Sequence, residues 1–319
     1  MKAETIKKIL FIICALICGG VFVFSAITKL YPIEPFEVSM VDIGLANWKL
    51  SPFVARLFIG AEFITGFFLI TLFRLRRLTI PFAAFLLLAF TIYLGLLIVN
   101  YGNTGDCGCF GDFVKITPWQ GILKNAGLLM LLGGAYMLQS KFEFRFKTLL
   151  VILGAVVLLI LPFILNPVGN PFSNKTLSNF ERFSLDTATL YPDSMNVQQD
   201  VDARKRKHIV AFLSVTCKHC RIAAKKLAVM KKKDPTVPVF FVLFNNKKKL
   251  QDFFDDTRSG EVPHMLIDSS FTFLKLTQGS FPRIYWVNNS VVEYETNYFE
   301  LDPGEVNTWL GLKDTIKGP

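Results

Sequence analysis

The sequence predicts an all-α membrane bundle of four helices plus a fifth span, followed by a soluble α/β domain. The chain has 319 residues, of which 52% are hydrophobic, and its mean hydropathy of +0.42 is too high for a soluble protein of this length. Long apolar runs lie almost entirely before residue 167, and short apolar strands alternate with charged helices after it. We therefore divide the chain into a four-helix domain, a fifth span, a linker and a soluble domain: 1–140, 141–170, 171–202 and 203–319.

Five apolar segments are long enough to cross a bilayer, which takes about 20 helical residues. They are residues 8–29, 52–73, 78–99, 118–138 and 148–166. Nine of the 14 lysines and arginines in residues 1–166 lie before the first segment or in the connectors 74–77 and 141–147. The positive-inside rule makes that side cytoplasmic. We expect a multi-pass protein of a bacterial inner membrane, with a cytoplasmic N-terminus and a periplasmic C-terminal domain.

The first segment also has the basic start and small-residue end of a cleaved signal peptide, but we interpret it as a retained span. Loop 30–51 is partly amphipathic and is predicted to form a short helix against the outer membrane face.

The net charge of +10 does not indicate nucleic-acid binding. Its clusters at Arg204–Lys207 and Lys231–Lys233 are typical of solvated faces, and a membrane lipid surface or an acidic partner is the alternative.

Cys217 and Cys220 stand at the start of a predicted helix, directly after an apolar strand at 208–213. Further strands and helices then alternate and end in a hairpin and a helix: 237–244, 250–256, 265–267, 271–277, 281–287, 291–294 and 303–312. This order, with the Cys-x-x-Cys and the downstream Phe281-Pro282, resembles the thioredoxin family over the final 110 residues or so.

The chemistry expected of this pair follows from its place in the chain. Cys217 lies at a helix N-terminus, where unpaired backbone amides and the helix dipole stabilise a thiolate. Lys218, His219 and Arg221 add positive charge beside it. Cys220 lies one turn further along the helix and is expected to resolve a mixed disulfide.

The thioredoxin resemblance adds roles downstream. It implies a cis Pro282 that presents the backbone of Phe281 to a substrate strand. The Lys-His dipeptide resembles the Pro-His of the oxidant DsbA more than the Gly-Pro of thioredoxin, which favours an oxidising couple. The buried aspartate of thioredoxin is Ala211 here, so proton handling must differ. A structural disulfide and half of a metal site are the alternatives for this pair.

A second cysteine pair, Cys107 and Cys109, lies in an Asp-Cys-Gly-Cys-Phe-Gly loop before the fourth segment. A Cys-Gly-Cys disulfide closes only a small ring, departs from the preferred geometry and should be easily reduced. That property suits a transient electron carrier. A disulfide without turnover and a metal site with Asp106 or Asp112 remain alternatives.

This loop, Pro118-Trp119, Lys124-Asn125 and the stretch 25–30 resemble the MauE branch of the DoxX-like four-helix membrane proteins over residues 8–138. MauE proteins are implicated in the maturation of methylamine dehydrogenase, whose small subunit is rich in disulfides. The resemblance therefore implies disulfide chemistry, and it does not imply methylamine utilization. The overall plan is also similar to bacterial vitamin K epoxide reductase homologues, which carry Cys-x-x-Cys where this chain has Cys-x-Cys.

Several residues within the apolar segments are further candidates. Glu62 lies at the centre of the second segment, where an ionisable group is costly and is a functional candidate. We predict that it pairs with Lys124 or Arg56, either as a structural pair or, with Asn125, as part of a quinone pocket or proton path. Cys14 and Cys18 share one helix face. They are predicted to be packing residues or, alternatively, an inner relay pair.

These observations predict a membrane thiol–disulfide oxidoreductase. Electrons would pass from extracytoplasmic protein thiols to Cys217 and Cys220, then to Cys107 and Cys109, then to a membrane acceptor such as a quinone. No firmly bound cofactor, metal or nucleic-acid partner is predicted. One alternative is an outward relay that keeps extracytoplasmic thiols reduced through Cys14 and Cys18. Another is a maturation scaffold whose cysteines do not turn over.

Overall fold

The computed structural model describes residues 2–111, 114–138, 148–168, 180–191, 201–244 and 247–312. The chain divides into two units, Met1–Val168 and Gly169–Pro319. Asp112 and the basic connector at 141–147 lie outside the described residues.

In the part that the structure describes, the first unit has five long α-helices and one short one. The long helices are α1 (Lys2–Leu30), α3 (Ser51–Ile70), α4 (Ile80–Tyr101, after a π-helical turn at Leu75–Thr79), α5 (Pro118–Leu138) and α6 (Thr148–Leu165). Proline stands in the first turn of α3, α4 and α5, where its missing N–H is not needed. All five are long and apolar enough to span a bilayer, which confirms a multi-pass membrane protein.

Helix α1 is central to this bundle, since it packs against both α3 and α5. The crossing of α1 and α3 is close because a glycine stands on each side of it. A Cβ atom on Gly66 would lie only 2.8 Å from the carbonyl oxygen of Gly19. Small residues of this kind let helix backbones approach within a membrane. The crossing thereby allows polar side chains of α1 and α3 to meet further along the helices.

The short helix predicted in loop 30–51 is α2 (Glu34–Asp42). Six of its nine residues are buried. Phe36 and Met40 pack in one cluster with Leu30 of α1 and Ile59 of α3. Its apolar side therefore lies against the bundle, and its position at the outer membrane face stays a prediction.

The second unit contains a six-stranded sheet. Its strands are β1 (Phe183–Ser184), β2 (Lys207–Ser214), β3 (Val239–Phe244), β4 (His264–Ile267), β5 (Arg283–Asn288) and β6 (Val291–Thr296). Their order in the sheet is β1-β6-β5-β2-β3-β4. Strands β2, β3 and β4 are parallel, whereas β5, β6 and β1 join antiparallel. The helices are α7 (Thr187–Leu190), α8 (Lys218–Lys233), α9 (Lys247–Thr257), α10 (Ser270–Leu276) and α11 (Pro303–Leu310). The predicted α/β thioredoxin-like domain is confirmed, with a helix opened by the Cys-x-x-Cys.

Part of the predicted linker belongs to this second unit. Strand β1 pairs with β6 at the sheet edge, and Leu185, Leu190 and Tyr191 are buried in the same core cluster as Val210. The sequence does not indicate this because the strand has only two residues and lies among polar ones. Burial of three large apolar side chains provides the stability that so short a strand lacks.

Candidate functional site

Cys217 is the N-cap of α8, at the carboxyl end of the buried strand β2. Its sulfur accepts a hydrogen bond from the backbone N–H of Cys220 at 3.4 Å. Cys217 is partly exposed and Cys220 is fully buried. The Cys217 thiol is therefore accessible from solvent, and the Cys220 thiol is not.

The two thiols of this pair have opposite electrostatic environments. The hydrogen bond from the Cys220 thiol, helped by the backbone N–H groups of Cys220 and His219 and by the His219 charge, lowers the pKa of Cys217 to about 6. Burial raises the pKa of Cys220 well above its ordinary value. Near neutral pH Cys217 is therefore a thiolate nucleophile, and Cys220 keeps its proton.

The charges flanking Cys217 differ from the prediction. The Arg221 guanidinium is directed to α9 and not to the Cys217 thiolate. It forms ion pairs with Asp252 and Asp256 of that helix at 2.7 and 2.6 Å. Those ion pairs hold α9 against α8. Lys218 is exposed to solvent. Of the predicted cations, His219 is the one that contributes to the low pKa of Cys217, and its ring stacks on Tyr298 at 5.4 Å between centroids.

The peptide bond between Phe281 and Pro282 is cis. In the sheet register Arg283 pairs with Phe212, so Pro282 lies at the carboxyl edge of β2, the edge that leads to Cys217. The Phe281 side chain is 39% exposed and packs edge-on against Phe273. Ala211 is fully buried in β2, at the position where thioredoxin carries its aspartate.

Cys107 and Cys109 are buried over the first turn of α5, with exposed fractions of 1% and 3%. A Cβ atom on Gly121 of that turn would lie 3.4 and 3.3 Å from their sulfur atoms. On the other side of the loop, Gly111 has φ of +52°, and its Cβ would lie 2.1 Å from the carbonyl oxygen of Thr28. Glycines therefore let the loop close tightly between α1 and α5.

This second pair is also asymmetric. The hydrogen bond from the Cys107 thiol lowers the pKa of Cys109, and the charges of Lys124 and Lys29 act in the same direction. The same hydrogen bond, together with burial, raises the pKa of Cys107. The Lys124 ammonium lies 4.5 Å from the centre of the Phe110 ring, within the Cys-Gly-Cys-Phe loop.

The prediction that Glu62 pairs with Lys124 or Arg56 was wrong, because its partner is Lys29 of α1. The Lys29 ammonium lies 2.6 and 2.9 Å from the two carboxylate oxygens, and both side chains are almost fully buried. Lys29 also donates to the Ser25 hydroxyl at 2.7 Å. The Ser25 oxygen in turn lies 3.1 Å from Glu62 and 3.0 Å from the carbonyl oxygen of Cys109.

A signal for this pairing is visible in the sequence. Ser25 and Lys29 are four residues apart near the end of α1 and therefore share one helix face. Cys18 and Phe22 extend the same buried face. A lysine on a buried stripe requires an anion, and Glu62 is the acidic residue within the spans.

Arg56 has a different role from the one predicted. Its guanidinium donates to Glu37 of α2 at 2.5 Å and to the backbone carbonyl oxygens of Asn166 and Pro167, just beyond α6, at 2.6 and 3.3 Å. Arg56 therefore ties α2, α3 and the end of α6 together.

A small cavity of about 20 Å³ lies between the helices beside Cys109. It brings together three predicted residues, Glu62, Lys124 and Asn125, and adds Ser25 and Lys29, which were not predicted as site residues. Its remaining lining is apolar: Val21, Phe22, Leu87, Phe90 and Leu128. Glu62, Lys124 and Asn125 therefore share one cavity with a cysteine of the loop.

Cys14 and Cys18 do not line this cavity. Cys18 is fully buried, and its sulfur lies 3.9 Å from the carbonyl oxygen of Leu128 on α5. Cys14 packs at the edge of the apolar cluster that contains Cys18 and Leu128. Within the described parts of the chain, no three His, Cys, Asp or Glu side chains are grouped so that they could hold a metal ion.

Fold and site together define a multi-pass membrane protein with a thioredoxin-like domain and a cysteine pair in each unit. Residues 7–138 match the family described as "Methylamine utilisation protein MauE". The chain is also 29% identical to "Protein TlpB" of Flavobacterium psychrophilum over 294 residues, which cover 77% of this chain and 80% of that protein. No solved structure matches the chain significantly. Residues 7–138 are thus similar to MauE proteins, and a thioredoxin-like domain follows them in the chain.

Proposed function

We propose that this protein is a thiol–disulfide oxidoreductase of a bacterial inner membrane, with its N-terminus in the cytoplasm and its thioredoxin-like domain in the periplasm. The observation that carries the proposal is the asymmetric pair at the start of α8. Cys217 has a pKa of about 6 and is accessible, whereas Cys220 is buried and protonated. A stabilised thiolate favours the reduced form of such a pair, so the oxidised form accepts electrons readily.

The first step is oxidation of an extracytoplasmic protein. A substrate thiolate attacks Cys217 of the Cys217–Cys220 disulfide, and the disulfide bond breaks as a mixed disulfide forms. A second substrate thiolate then displaces Cys217. The substrate loses two electrons and two protons and gains a disulfide, and Cys217 and Cys220 become a dithiol.

The second step passes those two electrons to a Cys107–Cys109 disulfide. The low pKa of Cys109 makes its sulfur a good leaving group when Cys217 attacks the disulfide. Both loop cysteines are buried, so the Cys-Gly-Cys loop has to move away from α5 before a second dithiol can reach them. This movement makes the exchange selective for a partner that docks on the membrane domain.

The loop dithiol is then reoxidised by a two-electron acceptor in the membrane, for which a quinone has the right chemistry because it takes up both electrons and both protons. The cavity beside Cys109 has a volume of only about 20 Å³, so it has to widen before a quinone ring can enter. Lys124 on its lining offers N–H donors to a quinone oxygen. Besides a quinone, the membrane-spanning helices are expected to contact membrane lipid.

The direction of electron flow rests on the cysteines of α1. The packing of Cys14 and Cys18 in an apolar cluster favours a structural role and hence the oxidising direction. An outward reductant relay instead requires both as carriers. It predicts that Cys217 and Cys220 are mostly reduced in cells and become oxidised in a Cys14→Ala/Cys18→Ala variant, which trapping with a thiol reagent would reveal.

A mixed-disulfide trap tests the activity itself. The purified full-length protein with Cys220→Ser, activated at Cys217 with a thionitrobenzoate group, should form a stable adduct with a substrate protein that carries a single reduced cysteine. The reason is that neither Cys220 nor a second substrate thiol remains to release the adduct. The matched Cys217→Ser variant should form none. Absence of the adduct in both variants would contradict the proposal and favour the scaffold alternative.

A further inference from the structure

The ion pair of Lys29 and Glu62 lies beside a cysteine that the proposed function uses. Both side chains are nearly fully buried between α1 and α3, and Ser25 links them to the backbone carbonyl of Cys109. Burying two charges is costly even when they are paired, and their replacement by apolar residues is often neutral for stability. A role in stability is therefore an incomplete explanation for charges at this position.

The charges around the cavity do not cancel. Lys29 and Lys124 contribute two cations to its lining, and Glu62 contributes one anion. A thiolate on Cys109 would balance this excess of one positive charge. The net charge of the cavity lining is thus zero when Cys109 is ionised.

Charged and titratable groups beyond the lining face the loop as well. Asp106 accepts the backbone N–H of Ile116, and its charge opposes ionisation of Cys109 more weakly than the two lysines favour it. Helix α4 contributes Tyr93 and Tyr101, which pack against the apolar cluster that includes the two cysteines, and the Tyr101 hydroxyl donates to Asp42 of α2.

We propose that Cys109, and not Cys107, is the reactive thiolate of the membrane domain, and that Lys29 and Glu62 set its ionisation as positioning residues. Lys29 adds to the stabilisation that Lys124 provides, Glu62 holds Lys29 in place and limits its effect, and Ser25 fixes the Cys109 backbone to the pair. On ionisation the S–H bond of Cys109 breaks and its proton leaves to solvent. This inference rests on the proposed function only in giving the loop pair a redox role.

The sign of two substitutions separates this role from a structural one. Lys29→Met removes a cation and should raise the pH at which Cys109 ionises. Glu62→Gln removes an anion but keeps the shape of the side chain, and it should lower that pH. If the ion pair only supports the fold, losing either partner disturbs the same contact and the two changes have no reason to differ in sign.

The measurement is the rate of alkylation of Cys109 by iodoacetamide as a function of pH, in the reduced full-length protein in detergent. Fragment mass spectrometry distinguishes Cys109 from Cys107. We expect Lys29→Met to reduce the rate about tenfold below the midpoint and Glu62→Gln to increase it several-fold, since one pKa unit is a tenfold change in thiolate. Lys29→Arg, which keeps the charge, should stay close to the natural protein.

Changes of the same sign in both variants, no change in either, or faster alkylation of Cys107 than of Cys109 would overturn the inference. If Lys29→Met does not fold, Lys124→Gln takes its place with the same expected sign. The experiment involves no turnover. Failure of the mixed-disulfide trap therefore leaves it interpretable, and failure here leaves the activity of Cys217 intact.

Discussion

Lys29 of α1 and Glu62 of α3 form a buried ion pair with an ammonium-to-carboxylate distance of 2.6 Å. Ser25 extends that pair to the carbonyl oxygen of Cys109. The end of α1 is therefore joined to the Cys-Gly-Cys loop by polar contacts through Ser25 and by the close approach of Gly111 to Thr28. The position of the loop thus depends on α1 as much as on the helices that precede and follow it.

Gly111→Ala tests the fit of this loop. The new Cβ would meet the Thr28 carbonyl oxygen at 2.1 Å, and φ of +52° is unfavourable for alanine. We expect a loss of about 1–3 kcal/mol of stability, the usual cost of such strain, measured as a lower thermal midpoint in detergent. Gly127→Ala is the matched control because nothing lies within 4 Å of its Cβ position. Equal midpoints for the two variants would argue against a tightly fitted loop.

The pH dependence of Cys217 follows from its pKa of about 6. The reactive species is the thiolate, so alkylation of reduced Cys217 should be nearly constant above pH 7 and fall as pH drops through 6. An ordinary thiol, with a pKa near 8.5, would still gain reactivity above pH 8. Peptide-resolved alkylation rates between pH 4 and 9 give the midpoint. A midpoint above 8 would contradict the environment described for α8.

His219→Ala should weaken the Cys217 thiolate without removing it. The variant loses the His219 charge but keeps the backbone N–H groups and the Cys220 hydrogen bond. We expect alkylation of Cys217 at pH 5.5 to slow by about two- to fivefold, as for the loss of an exposed charge interaction of up to about 1 kcal/mol. Tyr298→Ala, which removes the stacking partner and leaves the imidazole, is the control. A larger effect in Tyr298→Ala would assign the influence of His219 to packing instead of charge.

Arg56→Met should destabilise the membrane domain by about 3 kcal/mol, the loss typical of a buried ion pair that loses one partner. It leaves Glu37 and the carbonyl oxygens of Asn166 and Pro167 without their donor. Glu37→Gln keeps the bonds to the end of α6 and should cost less. Unfolding in detergent, followed by the accessibility of buried cysteines, compares the two. A neutral Arg56→Met would show that Arg56 does not hold α6.

Much of the architecture could be predicted because the responsible signals are local. Apolar runs of spanning length predict the five long helices, and Cys217–Cys220 after an apolar strand predicts α8 and its N-cap. The cis bond before Pro282 follows from the thioredoxin resemblance. Strand β1 could not be found in this way, since its two residues form a strand only by pairing with Val291 and Val292 of β6.

The partners of buried charges were harder to predict because they depend on helix rotation and depth. Lys124 and Arg56 lie within apolar segments, as Glu62 does, and are therefore its expected partners. In the structure, however, Lys124 lies over the Phe110 ring, and Arg56 donates to Glu37. Lys29 is hard to single out because it stands at the end of its span, where a lysine usually extends to the membrane surface. The close crossing of α1 and α3 at Gly19 and Gly66, which brings it to Glu62, is a tertiary feature.

We propose that Cys107 and Cys109 receive electrons from Cys217 and Cys220, and the redox state of Cys217 and Cys220 in living cells is the sharpest test of this transfer. Cells that express the full-length protein with Cys107→Ser/Cys109→Ser are quenched in acid, and free thiols are labelled with a maleimide that shifts electrophoretic mobility. We predict that Cys217 and Cys220 are mostly oxidised in the natural protein and accumulate as the dithiol in the variant. A Cys217–Cys220 disulfide that stays fully formed in the variant would contradict it.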